Sequence, residues 1–192
     1  MAATGVLPEY QPREPSCSWR WCLGYEEDTV VSRCGGSGGI QRGRGTPSGF
    51  VLVRQRFWVI FDSVEGSGEH LAESRFQFAP GEVVLDGTTA RTAFPDANLL
   101  LQAVGSVAFD HAHIEKGQEK PRSGWYSDSY GKIEPAPALS LSVRANLPWR
   151  AATLLFPYRG IVVPQATFTF QPGAAEVEHP HTGQVTVKCS LP

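Results

Sequence analysis

The sequence has a single Met among its 192 residues and no apolar run near the 18 to 20 residues that a membrane-crossing helix needs. The charges nearly cancel, with 17 Lys and Arg against 19 Asp and Glu. The concentrated basic excess of a general nucleic-acid binder is therefore absent. Four cysteines, Cys17, Cys22, Cys34 and Cys189, are too few for a disulfide scaffold at this size and lack the paired spacing of a structural zinc site. Buried thiols are the favoured reading, with a Cys17–Cys22 bridge as the alternative for an exported chain. The first fifteen residues have no basic segment followed by an apolar block, so they do not read as a signal peptide, and nothing in them directs the chain out of the cytoplasm. No amphipathic stretch of ten or more residues stands out, and no internal repeat is evident.

Turn formers and alternating apolar residues are abundant. Gly (20) and Pro (15) together exceed their usual share, so many turns and few long helices are expected. Ala72, Phe76 and Phe78 alternate with Glu73, Arg75 and Gln77, the period of a half-buried strand. Leu139, Leu141 and Val143 alternate with Ser140, Ser142 and Arg144, and Val185, Val187 and Cys189 do the same against Gln184, Thr186 and Lys188. Residues 50–61 are apolar on both faces apart from Arg54, Gln55 and Arg56, which predicts an interior strand. Gly66 and Gly68 supply the positive φ of a hairpin loop, so this strand is expected to pair with the one starting at Leu71. Further strands are predicted at 83–85, 97–103, 151–156, 161–163 and 166–170, with Pro80, Pro95, Pro148, Pro157, Pro164 and Pro172 between strands.

The predicted fold is all-β, an antiparallel β-sandwich of two packed sheets with little or no helix. Residues 1–18 read as a surface arm and 19–192 as the sandwich domain. Within the domain, 34–49 is a Gly- and Arg-rich loop or insertion.

Three groups of residues could carry chemistry. His111 and His113 form an HxH pair, which on a strand places both imidazoles on one face, as metal sites require. With no third ligand nearby they read first as surface histidines and only weakly as metal ligands. His179-Pro180-His181 has the same spacing at an expected turn. The segment 122–131 gathers Arg122, Trp125, Tyr126 and Tyr130 among small polar residues. Aromatic faces beside hydrogen-bonding groups suit a sugar, and an ordered loop plugging the sandwich end is the bland alternative. Nucleophile elbows and phosphate-cradling loops are absent.

The order of certain motifs resembles a known family. Phe50-Val-Leu-Val-Arg-Gln-Arg-Phe-Trp-Val-Ile-Phe-Asp62 is followed by Gly66-Ser-Gly-Glu-His70 and Phe76-Gln-Phe-Ala-Pro80. Gly124-Trp-Tyr-Ser-Asp-Ser-Tyr-Gly131, Pro135-Ala-Pro137, Leu147-Pro148 and Leu154-Leu-Phe-Pro157 come later. Together, over roughly 19–157, they resemble the C-terminal β-sandwich region of heparinase II/III-like polysaccharide lyases. Gln77 stands where that family commonly has histidine, and the tract 34–49 replaces a short strand containing His and Arg.

The resemblance implies a multidomain enzyme that cleaves uronic-acid-containing glycans, such as heparan sulfate or alginate, by β-elimination. In such enzymes the catalytic groups sit in an N-terminal α/α toroid, and metal ligands lie early in the β-region. Both are upstream of the matched residues, so no catalytic residue and no metal ligand is carried over. The expectation is a lyase fragment, inactive alone, that meets acidic polysaccharide through a toroid and resides in the periplasm or outside the cell. A stand-alone carbohydrate-binding or structural sandwich is the alternative.

Overall fold

Alternation and turn chemistry produce strands throughout. The computed structural model describes the backbone of residues 22–26 and 29–34, and residues 48–53, 56–171, 173–180 and 183–189. In chain order the strands are β1 (Cys22–Glu26), β2 (Thr29–Cys34), β3 (Ser48–Val53), β4 (Phe57–Val64), β5 (Glu69–Gln77), β6 (Val83–Asp86), β7 (Thr89–Thr92), β8 (Ala97–Gly105) and β9 (His111–Lys116). They continue with β10 (Gln118–Glu119), β11 (Arg122–Ser123), β12 (Trp125–Tyr126), β13 (Glu134–Pro135), β14 (Pro137–Asn146), β15 (Trp149–Arg159), β16 (Thr167–Gln171), β17 (Ala174–His179) and β18 (Gly183–Lys188). No helix occurs among the described residues, as the sequence predicts.

A large antiparallel sheet in the order β1-β2-β3-β4-β15-β8-β7-β6 forms the middle of the molecule. One face meets β16-β17-β18 and the other meets β5-β14-β9, so the expected pair of layers becomes three. The alternation along β15 and β8 shows why. Ala152, Leu154 and Phe156 of β15 and Leu100 of β8 pack with Phe168, Ala175, Val177 and Val187. The neighbouring positions Leu101, Ala103 and Leu155 point the other way, onto Leu139 and Leu141 of β14. Stacking of Phe57 on Phe156, with centroids 5.6 Å apart, ties β4 into the first core. At the far end Phe109 meets Trp149 edge-on at 5.5 Å. Each fully buried Leu or Phe contributes about 1.5–3 kcal/mol through apolar burial.

Several strand expectations need correction. Residues 50–61 are two strands, not one. Arg56 N donates to Val53 O at 2.9 Å, and this turn makes β3 and β4 a hairpin. The expected pairing of this segment with the Leu71 strand does not form, because β4 pairs with β3 and β15 while β5 pairs with β14. The physical reason lies in the two patterns. β4 is apolar on both sides and goes to the middle of the central sheet, whereas β5 alternates strictly and takes an outer layer with one wet face. The Gly66/Gly68 loop, with φ of 147° and 79°, therefore changes layer.

Residues 161–163 form no strand, and Ile161 and Val162 are exposed. Pro157 lies inside β15, opposite Leu99 of β8 and beyond the end of the β4 pairing, where a missing amide donor breaks no ladder. Pro135 and Pro137 also fall at strand positions. Cys189 is buried, as expected. The arm 1–18, most of the tract 34–49, and the Cys17, Cys22 and Cys34 side chains lie outside the described residues.

Candidate carbohydrate site

Strand β14 runs down the middle of the outer sheet, and its outward positions Ala138, Ser140 and Ser142 are small. Register places Gln77, Arg75 and Glu73 of β5 beside them on one side, and Glu115, His113 and His111 of β9 on the other. Long side chains arch over this low floor. Arg75 Nη2 reaches across β14 to Glu115 Oε2 at 2.9 Å and to the Ser123 hydroxyl at 2.5 Å, while Arg75 Nη1 donates to Glu73 Oε1 at 3.2 Å. The Ser140 hydroxyl donates to the same Glu73 oxygen, which explains why a serine on the solvent side of the sheet is 2% exposed.

The Glu115 carboxyl is held below its ordinary pKa, mainly by the Ser123 hydroxyl; burial opposes this, and His113 and Arg75 add smaller lowering effects. It therefore stays ionised across the neutral range, and its pairing is lost only as pH falls below the ordinary glutamate value of 4.5.

At the β13 end of this sheet the segment Arg122–Tyr126 folds over β9. Gly124 is the pivot, with φ of 70° and a main chain so close to β9 that a Cβ would lie 2.5 Å from Glu115 O and 2.6 Å from Lys116 Cα. Its carbonyl accepts from Gly117 N and Ala136 N, both at 2.8 Å. The result is an open cavity of about 430 Å³ lined by Arg75, Gln77, Arg122, Ser123, Trp125 and Ala138, among others. The Trp125 ring is fixed by donation from Nε1 to Gln118 O at 2.8 Å and stays half-exposed. Gln77 Nε2 donates to Pro137 O at 3.0 Å and Phe78 O at 3.1 Å, so its amide joins the end of β5 to the start of β14. Among the described residues, the Arg122 side chain is exposed and has no hydrogen-bond or ion-pair partner, while its backbone pairs with Glu119.

Of the sequence-predicted residues, the fold brings Arg122 and Trp125 to one cavity. Tyr126 and Tyr130 lie outside its lining, and Tyr130 stands fully in solvent. Composition alone missed Arg75, because strand register rather than sequence proximity brings it here, whereas Ser123 lies inside the singled-out segment.

His111 and His113 do share one face of β9, and His113 Nε2 lies 3.4 Å from Glu115 Oε1. No group of three or more His, Cys, Asp or Glu among the described residues is arranged to hold a metal ion. His179 is 9% exposed at the end of β17, its ring 4.9 Å from that of Phe156, so this part of the His-Pro-His motif belongs to the core edge. His181 lies outside the described residues. A second cavity of about 490 Å³ lies beside Glu178 and His179; among the described residues its lining has no aromatic face beyond the imidazole and no Lys or Arg.

No protein-family description matches the sequence, and no curated protein matches it. Solved structures do match. Heparan sulfate lyase HepC from Pedobacter heparinus superposes with a TM-score of 0.70 at 14% identity, over 88% of this chain and 27% of that one. A heparinase III gene product gives 0.69 at 22% identity over 88% and 27%, and a further heparinase III structure gives 0.71 at 17% over 90% and 27%. The fold is that of a heparinase-like C-terminal β-sandwich, and the chain spans about a quarter of the length of these proteins.

Proposed function

We propose that this chain is the β-sandwich portion of a polysaccharide lyase acting on uronic-acid-containing glycans, and that the Arg122–Trp125 cavity is a glycan contact. The observation that carries the reading is the near-complete match of this sandwich to heparinase III structures of which it spans about a quarter. The cavity adds a half-exposed indole for the C–H face of a sugar ring and guanidinium groups for carboxylate or sulfate. Trp125 and Arg122, which line the cavity, are the assigned contact residues; Tyr126 and Tyr130 of the same segment could meet a longer polymer only outside it. Residence in the periplasm or outside the cell follows from the same reading.

β-Elimination requires a base to remove the proton at C5 of the uronate, neutralisation of its carboxylate, and an acid to protonate the departing glycosidic oxygen. The electron pair of the C5–H bond becomes the C4–C5 double bond as the C4–O bond breaks. In this reading those groups belong to a separate helical toroid, and the sandwich supports that domain and holds the polymer.

The test is absorbance from unsaturated uronate ends with heparan sulfate and with alginate. The chain alone is expected to produce none, and product formation by the chain alone would overturn the division of labour. Saturable binding to these polymers without turnover is the positive counterpart. Its absence would leave a purely structural sandwich.

A further inference from the structure

Two cations border the cavity, and their states differ. Both are exposed, the Arg75 side chain by 49%, so solvent screens both charges; the Arg122 side chain makes no hydrogen bond, so fixing it on a ligand costs rotamer freedom. Arg75 is already fixed. Glu73, Glu115 and Ser123 occupy three of the five donors of its guanidinium and hold the plane over the small floor of Ala138 and Ser140. Glu115 and Ser123 take both hydrogens of Nη2, so an edge that could hold a carboxylate or sulfate with two hydrogen bonds opens only where Glu115 gives way, in an arginine whose side chain is already held in place.

We propose that Arg75 is the residue that makes this cavity select negatively charged sugars over neutral ones, and that Glu115 acts as the internal anion a ligand must displace or share. This rests on the reading of the cavity as a glycan contact and adds the basis of its selectivity. An incoming carboxylate or sulfate takes the place that Glu115 Oε2 holds at 2.9 Å, while Ser123 keeps the guanidinium in plane from the side. Trp125 then supplies the sugar-face contact, which neutral and acidic sugars share. Glu115 thus weakens binding while it holds Arg75 in position.

Braces and receptors predict opposite results at Glu115. If Arg75 only staples β5 to β9 across β14, removing Glu115's charge loosens the cavity and weakens any ligand. If Arg75 is the receptor, the same change frees it and strengthens acidic ligands alone. The groups facing Arg75 are Glu73 on its own strand, Glu115 and His113 on β9, and Ser140 and Ser123; Arg122 stands at the mouth. The charge of Arg75 is countered chiefly by Glu115 and Glu73, which it contacts at 2.9 and 3.2 Å.

The experiment titrates the full chain with an unsaturated heparan sulfate hexasaccharide and with a neutral hexasaccharide of similar length, by calorimetry at pH 7.5. The wild-type protein is expected to prefer the acidic ligand by about tenfold, the size of one charge-assisted contact. Arg75→Gln should erase that preference and leave neutral binding unchanged, and Arg122→Gln should reduce it by about threefold or less. Glu115→Gln should tighten the acidic ligand severalfold without affecting the neutral one, and this variant decides the matter even if Arg75→Gln fails to fold. Equal wild-type affinity for the two ligands, loss of preference in Arg122→Gln but not Arg75→Gln, or weaker acidic binding in Glu115→Gln would each overturn the role of Arg75 and leave the glycan contact standing. Binding of neither ligand would overturn both.

Discussion

The two sides of the layered structure use one rule for different ends. Where the central sheet meets β16-β17-β18, large side chains interdigitate: Phe57, Val59, Leu154 and Phe156 against Phe168, Val177 and Val187. On the outer face of β5-β14-β9, the same period-two alternation presents Ala138, Ser140 and Ser142 under a canopy of Glu73, Arg75, His113 and Glu115. Apolar bulk produces stability on the first side. Small residues beneath long charged ones produce a surface that can be reorganised on the second, because an ion pair with an exposed partner contributes little to folding. In the proposed reading a role in folding and a role in recognition are separated by two layers, and substitutions should separate them too.

The largest effect is expected in the core. Leu154→Ala, at a fully buried position of β15, should cost about 2–5 kcal/mol, with a clear fall in the denaturation midpoint. If the midpoint barely moved, the three-layer packing would be wrong.

Gly124→Ala comes next. Its positive φ and the backbone of Glu115 within 2.5 Å of the new methyl should displace the Arg122–Trp125 segment. Glycan binding should disappear with a loss of stability smaller than that of Leu154→Ala, as judged by titration and melting on the same sample. Binding that survived this change would show that the segment does not form the site.

Asp62 sharpens the comparison at the other end of the central sheet. Burial raises its carboxyl pKa above the ordinary 3.8, opposed by a hydrogen bond from the Ser48 hydroxyl at 2.6 Å. Below pH 3.8 the group is protonated folded and unfolded, so burial has no ionic cost there. The cost grows as pH rises from 3.8 through the raised folded value. Asp62→Asn should therefore raise the melting temperature at pH 7, and the gain should vanish toward pH 3. A gain that persisted unchanged at pH 3 would point to a different cause.

The smallest effect belongs to Arg122→Ala, an exposed residue whose side chain has no partner among the described residues, which should change stability by less than about 0.5 kcal/mol. A larger loss in chemical denaturation would mean that the cavity contributes to folding.

Much of this comparison was readable in the residues. The alternation at 72–78 and 139–143 gave the outer strands, and the two-sided apolar run after Phe50 marked the middle of the main sheet. Partnership was not readable. A glycine-rich loop between two strands implies a hairpin by local chemistry, yet β4 and β5 join different layers because burial of both faces of β4 outweighs proximity in sequence. The same limit hid half of the site. Arg122 and Trp125 stood out as neighbours in an aromatic segment, whereas Arg75 and Glu115, forty residues apart, meet only because β14 runs between their strands. The tyrosines had the right composition but are not among the residues that line the cavity.

The most direct test of the glycan reading is calorimetric titration of heparan sulfate oligosaccharide into the wild-type chain and into Trp125→Ala. Saturable binding that falls at least tenfold in the variant, with an unchanged melting temperature, is the expected result. Equal binding by both proteins, or none by the wild type, would contradict it.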